Sequence, residues 1–515
     1  MVHFAQPSAR GPPSGTVRSP DAEGERILLE SLKRLTKHSI VYGVSHIATR
    51  SVGFLLLPIH TNAFSRGQYG IAAVVFTFLA IAVDVYSLGV PSAFLRQYLM
   101  SEDDAGRRRV FSTSFWTVVA LAVGFTLFLE IGARPVAQWL LQDAQHAQLI
   151  RISGGILFFD SVNVLTFLLL RAEERSVLFA LFQLANVLVT FVLNALLILK
   201  VGMGVEGIFL ANLLASGATF LFLLPVSLRK LSFCFSGETL RFLLRFGLPY
   251  LPSTIAVVLM DVIDRIILQR LAGNEVTGLY SAGYKLGMFM ALFVAAFRFA
   301  WHPFFLSEVK KEGAKELFAR VLTYLLLACL FVFLLICFIV DDIVRFRIFG
   351  FTLFGPQYWD STVVVPWVML AYIFYAAYLN FVIGIYTEAR SEYLPLVTGI
   401  GAAVNIAANF LLIPRFGMMG SAYATTLGYA AMALSLFVVG QKLYPVRYEY
   451  LRLVHMGIAA AILYGLERHF HAGLPFWARA GMTLAFPFLL YITGFFDRKE
   501  REGIRRLFRR LAWQA

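Results

Sequence analysis

Residues 173–203 read EERSVLFALFQLANVLVTFVLNALLILKVGM. The segment 177–199 inside it carries no ionisable side chain, while Glu173, Glu174, Arg175 and Lys200 stand at its two ends. A helix needs about 20 consecutive, mostly apolar residues to cross a hydrocarbon core, and this run places charge only where water would begin. Blocks of the same kind recur along the whole chain. Of 515 residues, 59% are hydrophobic and 15% charged, with 49 phenylalanines, whereas ordinary soluble domains are about 25% charged. A water-soluble core cannot absorb that excess, so the sequence predicts an all-α integral membrane protein.

A scan along the chain predicts about fourteen transmembrane helices, at 39–62, 70–88, 110–131, 149–170, 177–199, 205–228, 248–268, 279–301, 321–340, 361–385, 394–413, 418–440, 453–466 and 474–495. Most of the 45 Lys and Arg residues fall on one side of the alternating connectors. Arg107, Arg108 and Arg109, then Arg229 and Lys230, Lys310 and Lys311, and the tail residues Arg505, Arg506, Arg509 and Arg510 are its clusters. Cytoplasmic loops carry the cationic excess, which puts both termini in the cytoplasm. The net charge of +14 therefore reports orientation rather than nucleic-acid binding, because no soluble module collects it.

Residues 1–38 lack the apolar stretch of a signal peptide and read as a cytoplasmic tail. Within it Ile27, Leu28, Leu32 and Leu35 fit a short amphipathic helix, either on the membrane surface or solvated. Every connector is short, about 20 residues at most, against the roughly 50 that an extramembrane catalytic domain needs. Cys234, Cys329 and Cys337 show no metal or disulfide spacing. No Gly-rich phosphate loop of the GxxxxGK type is present, so the chain is not expected to hydrolyse ATP, and no cofactor is implied.

The opening stretch has a second copy. The shift that carries Glu173 onto Glu388 also pairs Arg175 with Arg390, Ser176 with Ser391, Asn194 with Asn409, Lys200 with Arg415, Gly202 with Gly417 and Met203 with Met418. Coincident polar residues and glycines in apolar sequence point to duplication. The shift moves six spans and preserves orientation, which makes the halves parallel repeats with a substrate site expected between them. The domain reading is an N-lobe at 39–228, a cytoplasmic linker at 229–247, a C-lobe at 248–440, two appended helices at 441–496 and a basic tail at 497–515.

Ionisable groups inside spans are the sharpest functional signal, since each costs about 2.5–3.5 kcal/mol at a helix centre on insertion scales. They are Arg50, Asp84, Asp160, Asp261, Asp264, Arg265, Lys285 and Arg298. Asp261 and Arg265, four apart, can form an intrahelical ion pair. Arg50 has no acidic neighbour at helical spacing and heads the candidates for substrate binding, with Arg265, Lys285 and Arg298; the last lies near a span end, where it can snorkel to the interface. Asp84, Asp160, Asp261 and Asp264 are candidates for ion coupling, with helix–helix hydrogen bonding as the alternative. His46 and His60 read as packing residues. A cationic lumen suits a phosphate-bearing ligand.

Four segments carry a resemblance. The first runs from Arg50, Ser51, Val52, Gly53 and Phe54 through Leu57, Pro58 and Ile59 to Tyr69 and Gly70. The second is Gly89, Val90, Pro91, Ser92 and Ala93 with Arg96, Tyr98 and Arg107, Arg108 and Arg109. The third is Phe246, Gly247, Leu248, Pro249, Leu251 and Pro252, then Asp264 and Arg265, then Gly278, Leu279, Tyr280, Ala282, Tyr284 and Lys285. The fourth is Leu412, Ile413, Pro414, Arg415, Gly417, Gly420 and Ala422. Together they resemble the polysaccharide and O-antigen repeat-unit flippases of the multidrug, oligosaccharidyl-lipid and polysaccharide exporter superfamily, and the second segment looks like that family's first cytoplasmic loop.

The resemblance implies two six-helix lobes plus two helices around a cavity open alternately to either face of a bacterial inner membrane. It implies an undecaprenyl-diphosphate-linked saccharide as substrate, with the diphosphate bound by cationic residues that fall here on Arg50, Arg265 and Lys285. Membrane lipids, a polymerase and chain-length or export proteins are the partners it implies. An ion-coupled drug or metabolite exporter is the nearest alternative, expected to have an acid-rich lumen. A membrane-embedded saccharide polymerase would be expected to carry a long outer loop.

Overall fold

The computed structural model describes residues 52–348, 351–388, 390, 392–470, 474–498 and 500–502. The readings made for stretch 27–35, for His46 and Arg50, and for the basic tail with Arg505, Arg506, Arg509 and Arg510 lie outside the described residues. With no water in the bilayer core, backbone amides and carbonyls must be paired within each segment, and the chain answers with helices. In order they are α1 (Val52–Ala63), α2 (Arg66–Ser87), α3 (Val90–Met100), α4 (Asp104–Ile131), α5 (Ala133–Leu141), α6 (Ala147–Ala172), α7 (Ser176–Asn194), α8 (Val205–Lys230), α9 (Gly237–Gly247), α10 (Leu251–Gly287), α11 (Phe289–Glu308), α12 (Ala314–Arg345), α13 (Val365–Phe381), α14 (Ile383–Thr387), α15 (Tyr393–Phe416), α16 (Met418–Leu443), α17 (Tyr450–Phe470) and α18 (Phe476–Ile492). Among the described residues ten helical stretches are long and apolar enough to cross a membrane.

α10 is two helices joined at Gly273, whose φ of 86° breaks the helical run. Its first part is the seventh predicted span. Its second part, continued by α11, is the eighth. That positive φ suits glycine, which has no Cβ to clash.

The stretch from Gly89 to Ala93 is not a loop. Leu88 (φ 46°) and Gly89 (φ 72°) turn the chain, Pro91 sits in the first turn, and the backbone continues as α3. Val90, Ala93, Phe94 and Tyr98 on one side of α3 are buried with Phe111 of α4, Leu165 of α6 and Leu243 of α9. A Cβ at Gly89 would fall 2.2 Å from the carbonyl oxygen of Gly247, so this close approach requires glycine. The linker helix α9 thus lies against the first half of the chain, and Arg96 covers the ring of Phe246 at 4.6 Å.

The repeat is visible in the backbone. Glu173 (φ −88°, ψ 8°) and Glu388 (φ −91°, ψ 6°) end their helices in the same conformation. The amide of Arg175 donates to Leu170 O (2.8 Å) and that of Arg390 to Ile385 O (2.9 Å). Asn194 donates to Thr190 O (2.8 Å) and Asn409 to Asn405 O (2.9 Å). Gly202 and Gly417, which close the two copies, both have positive φ.

One face of the bundle is sealed between the halves. The end of α1 and the turn after it meet a short hairpin, β1 (Arg347–Ile348) with β2 (Phe351–Thr352), and the 3-10 turn Pro356–Val364. Asn62 donates to Thr352 O (2.8 Å), Gln357 to Phe64 O (2.8 Å), and the Tyr358 hydroxyl bonds Phe64 O and Ser65 O. Behind this layer α2 and α10 pack backbone to backbone. A Cβ at Gly70 would lie 2.0 Å from Asn274 O, and one at Gly278 1.9 Å from Arg66 O.

Candidate functional site between the two halves

Below the sealed face lies a cavity of about 350 Å³ between α1, α2, α7 and α8 on one side and α10 and α13 on the other. Arg265 and Lys285 both line it, together with His60, Tyr69, Asp261 and Tyr284. The break at Gly273 makes this possible, because it folds the second part of α10 back so that Lys285 returns to the level of Arg265. Val52 and Gly53 also line the wall; Arg50, two residues before Val52, is outside the described residues.

Arg265 is anchored differently from the sequence expectation. Its ion pair is with Asp264 (2.8 Å), and it reaches Asp261 through the main-chain carbonyl. Adjacent residues on a helix do not ordinarily face each other. Here the long guanidinium folds back, because Asp264 is fixed from elsewhere: its other oxygen accepts from Tyr280 (2.5 Å) and Thr425 (3.4 Å), and the residue is completely buried. The Arg265 guanidinium also lies over the Tyr284 ring at 4.2 Å, a contact worth up to about 2 kcal/mol when desolvated.

Lys285 is held otherwise. Its ammonium sits 5.3 Å from the centroid of the Tyr69 ring, and among the described residues it makes no ion pair. It is a half-buried cation whose compensation is a ring face and the cavity itself. His60 donates from Nε2 to Asn194 Oδ1 (3.1 Å); the amide orientation follows from Asn194 Nδ2 donating to Thr190 O. That leaves Nδ1 as an acceptor, and it and the Tyr69 hydroxyl are buried with no hydrogen-bond partner among the described residues.

A second chamber of about 160 Å³ shares Asp261 and Tyr372 with the first and continues along α10 towards Val257, away from the sealed face. Arg298 lines it and donates to the Tyr375 hydroxyl at 3.2 Å. The snorkelling expectation for Arg298 is therefore corrected: α11 turns it into the bundle. The Asp261 carboxylate accepts from the Tyr429 hydroxyl.

Asp84 on α2 and Asp160 on α6, both half-buried, line neither chamber; Asp160 faces Ser216 of α8. Asp264 is satisfied inside the protein. Of the four candidate carboxyls, Asp261 is the one in contact with both chambers. Cys329 and Cys337 are buried and Cys234 is exposed, all as free thiols, and no metal-binding group of side chains occurs among the described residues. The tyrosine wall of Tyr69, Tyr284, Tyr372, Tyr375 and Tyr429 was hidden in the sequence by an aromatic content of 15%. The spacing of Tyr280 and Tyr284 beside Lys285 was the available signal.

These features define a multi-pass helical membrane protein of two like halves with cationic side chains in the space between them. The chain belongs to the polysaccharide biosynthesis protein family, which matches residues 35–309. It is 25% identical over 405 residues to the Lsg locus putative protein 1 of Haemophilus influenzae, spanning 75% of this chain and 95% of that one. In fold it is similar to the lipid II flippase MurJ in an inward closed conformation (TM-score 0.71, 14% identity, 88% of this chain and 98% of that one). It is also similar to a multidrug resistance MATE family transporter in inward-facing form (TM-score 0.62, 17% identity, 76% and 94%) and in outward-facing form (0.55, 17%, 79% and 95%).

Proposed function

We propose that this protein is a flippase that moves undecaprenyl-diphosphate-linked oligosaccharide repeat units from the cytoplasmic to the periplasmic leaflet of a bacterial inner membrane, for export of a surface polysaccharide such as an O-antigen, exopolysaccharide or capsule. The observation that carries the reading is Lys285, a cation without an ion pair among the described residues, in one cavity with Arg265 between two repeat-related halves. A diphosphate leaving water must find replacement donors, and this cavity offers an ammonium and a guanidinium.

Family membership and the likeness in fold to a lipid II flippase support the reading. With the cationic loops cytoplasmic, the sealed face is the periplasmic one, and the cavity awaits substrate from the cytoplasmic leaflet. The lobes at 39–228 and 248–440 rock about the site, and Arg50 is assigned to diphosphate binding with Arg265 and Lys285 by the family resemblance.

The test is cell-surface polysaccharide and accumulation of the lipid-linked repeat unit when Arg50, Arg265 and Lys285 are replaced singly and together, with membrane abundance measured alongside. Arg50→Ala is expected to lose export at normal abundance, and Arg50→Lys to rescue it only partly, since a point charge lacks the bidentate fork. Undiminished export in the triple alanine variant rejects the reading. The carboxylate of Asp261 at the junction of the chambers favours one alternative, an ion-coupled exporter of cations, which predicts that Asp261→Asn rather than Lys285→Met abolishes transport.

A further inference from the structure

We infer that the second chamber is the subsite for the saccharide head, an inference that rests on the lipid-linked saccharide reading above. Its walls combine ring faces with hydroxyl groups. Tyr375 and Tyr378 are stacked, with an interplanar angle of 13° and centroids 5.8 Å apart. Tyr429 stands edge-on to Tyr375 at 68°, and Tyr372 lies 5.7 Å from Tyr429. Three hydrogen bonds hold these hydroxyl groups in place: Arg298 donates to Tyr375, Tyr429 donates to Asp261, and Tyr372 bonds the Tyr284 hydroxyl at 3.2 Å.

A sugar ring has the matching chemistry. Its C–H face packs on an aromatic face while its hydroxyl groups donate and accept, and tyrosine offers both an apolar body and a polar tip. A lipid tail would put hydrocarbon against the Asp261 carboxylate and the Arg298 guanidinium, at the cost of desolvating charged groups without offering them a hydrogen bond. An organic cation would gain from the ring faces and from the Asp261 carboxylate, but that carboxylate already accepts from Tyr429, and Arg298 in the same chamber repels the cation.

The position also fits. Going along α10 from Arg265 to Asp261 to Val257 leads out of the cationic cavity and into the tyrosine chamber. A ligand with diphosphate beside Arg265 and Lys285 would place its attached sugar past Asp261, among Tyr372, Tyr375 and Tyr429, on the side facing away from the seal.

The experiment uses the full chain in detergent and two probes: undecaprenyl diphosphate without sugar, and undecaprenyl diphosphate bearing one neutral hexose. Binding is measured to the wild type, to Tyr375→Leu/Tyr378→Leu and to Lys285→Met, with thermal unfolding as the control for folding. The wild type is expected to bind the glycosylated lipid about tenfold more tightly, a factor worth about 1.4 kcal/mol. The double tyrosine variant should lose that gain while holding the sugar-free lipid as before, and Tyr375→Phe/Tyr378→Phe, which keeps the rings, should retain most of it. An equal gain from the sugar in wild type and the leucine variant overturns the subsite and leaves the flippase reading intact. Failure of either lipid to bind the wild type, or binding indifferent to Lys285→Met, overturns the underlying reading and the subsite with it.

Discussion

Lys285 and Tyr69 meet across the boundary between the halves, ammonium to ring centroid 5.3 Å. One comes from the second part of α10 and the other from the start of α2; among the described residues Lys285 makes no ion pair and the Tyr69 hydroxyl makes no hydrogen bond. Arg265, on the same cavity wall, is by contrast locked to the buried Asp264. Two cations in one cavity are therefore held differently, the first by a ring face and the second by a buried carboxylate, and the proposed function gives them separable roles.

Substituting them should separate those roles. Lys285→Met keeps the length of the side chain and removes the charge, so the protein should remain abundant and thermally stable while transport falls at least about tenfold, about 1.4 kcal/mol of lost interaction. Arg265→Met leaves a completely buried carboxylate without its ion pair, which costs about 3–5 kcal/mol, so the unfolding temperature in detergent should drop. Adding Asp264→Asn should restore stability but not transport. Arg265→Met as stable as wild type would show that Asp264 does not depend on it.

The sealed face makes a second prediction. Because a side chain at Gly278 would meet Arg66 O at 1.9 Å, Gly278→Val should force α2 and α10 apart and hold the seal open. In a Cys234→Ser background, a cysteine at Thr61, completely buried under Gly355, should react with a membrane-impermeant maleimide several-fold faster in the valine variant. Unchanged labelling would mean that the seal tolerates separation of the two helices.

The helices were legible because apolar length alone decides them in lipid, and the duplicated stretch was legible because polar residues at a fixed offset are costly coincidences. What escaped the sequence depended on tertiary choice. Asp261 has the right spacing for an ion pair with Arg265, but that rule describes exposed helix surfaces, whereas Tyr280, beyond the Gly273 break, and Thr425, on α16, select Asp264 instead. The segment from Gly89 to Ala93 is likened to a cytoplasmic loop by resemblance; the chain does turn at Leu88 and Gly89, but only over those two residues before α3 begins. Arg298 near a span end satisfied the rule for snorkelling; the tyrosines that draw it inward are more than 70 positions away in sequence.

After α18, Glu500 ties the segment that follows it to the bundle through Arg452 and Tyr324. Burial would raise its carboxyl, but hydrogen bonds from Arg452 and Tyr324 outweigh that and hold it down at about 2, below its ordinary 4.5. A depressed carboxyl stabilises the fold above its unfolded value and loses that contribution as pH falls through the folded one. Glu500→Gln should therefore lower the unfolding temperature at pH 7, and its difference from wild type should shrink steadily as pH is taken from 4.5 towards 2. A difference that stays constant over that range would rule out the charge as its source.

Orientation remains the premise on which the direction of transport rests, and two thiols decide it. Cys234, exposed in the linker before α9, lies among cationic connectors and is expected in the cytoplasm. Gln142 ends α5 in an exposed left-handed turn and belongs to the opposite side. In intact cells a membrane-impermeant maleimide should leave Cys234 unlabelled until the membrane is permeabilised, whereas Gln142→Cys in a Cys234→Ser background should label directly. Reporter domains fused after Ala515 and near Arg108 should read as cytoplasmic in the same cells. Labelling of Cys234 from outside would invert the bundle. It would place the tyrosine chamber towards the periplasm and the seal towards the cytoplasm, and the proposed cytoplasm-to-periplasm direction would lose its structural basis.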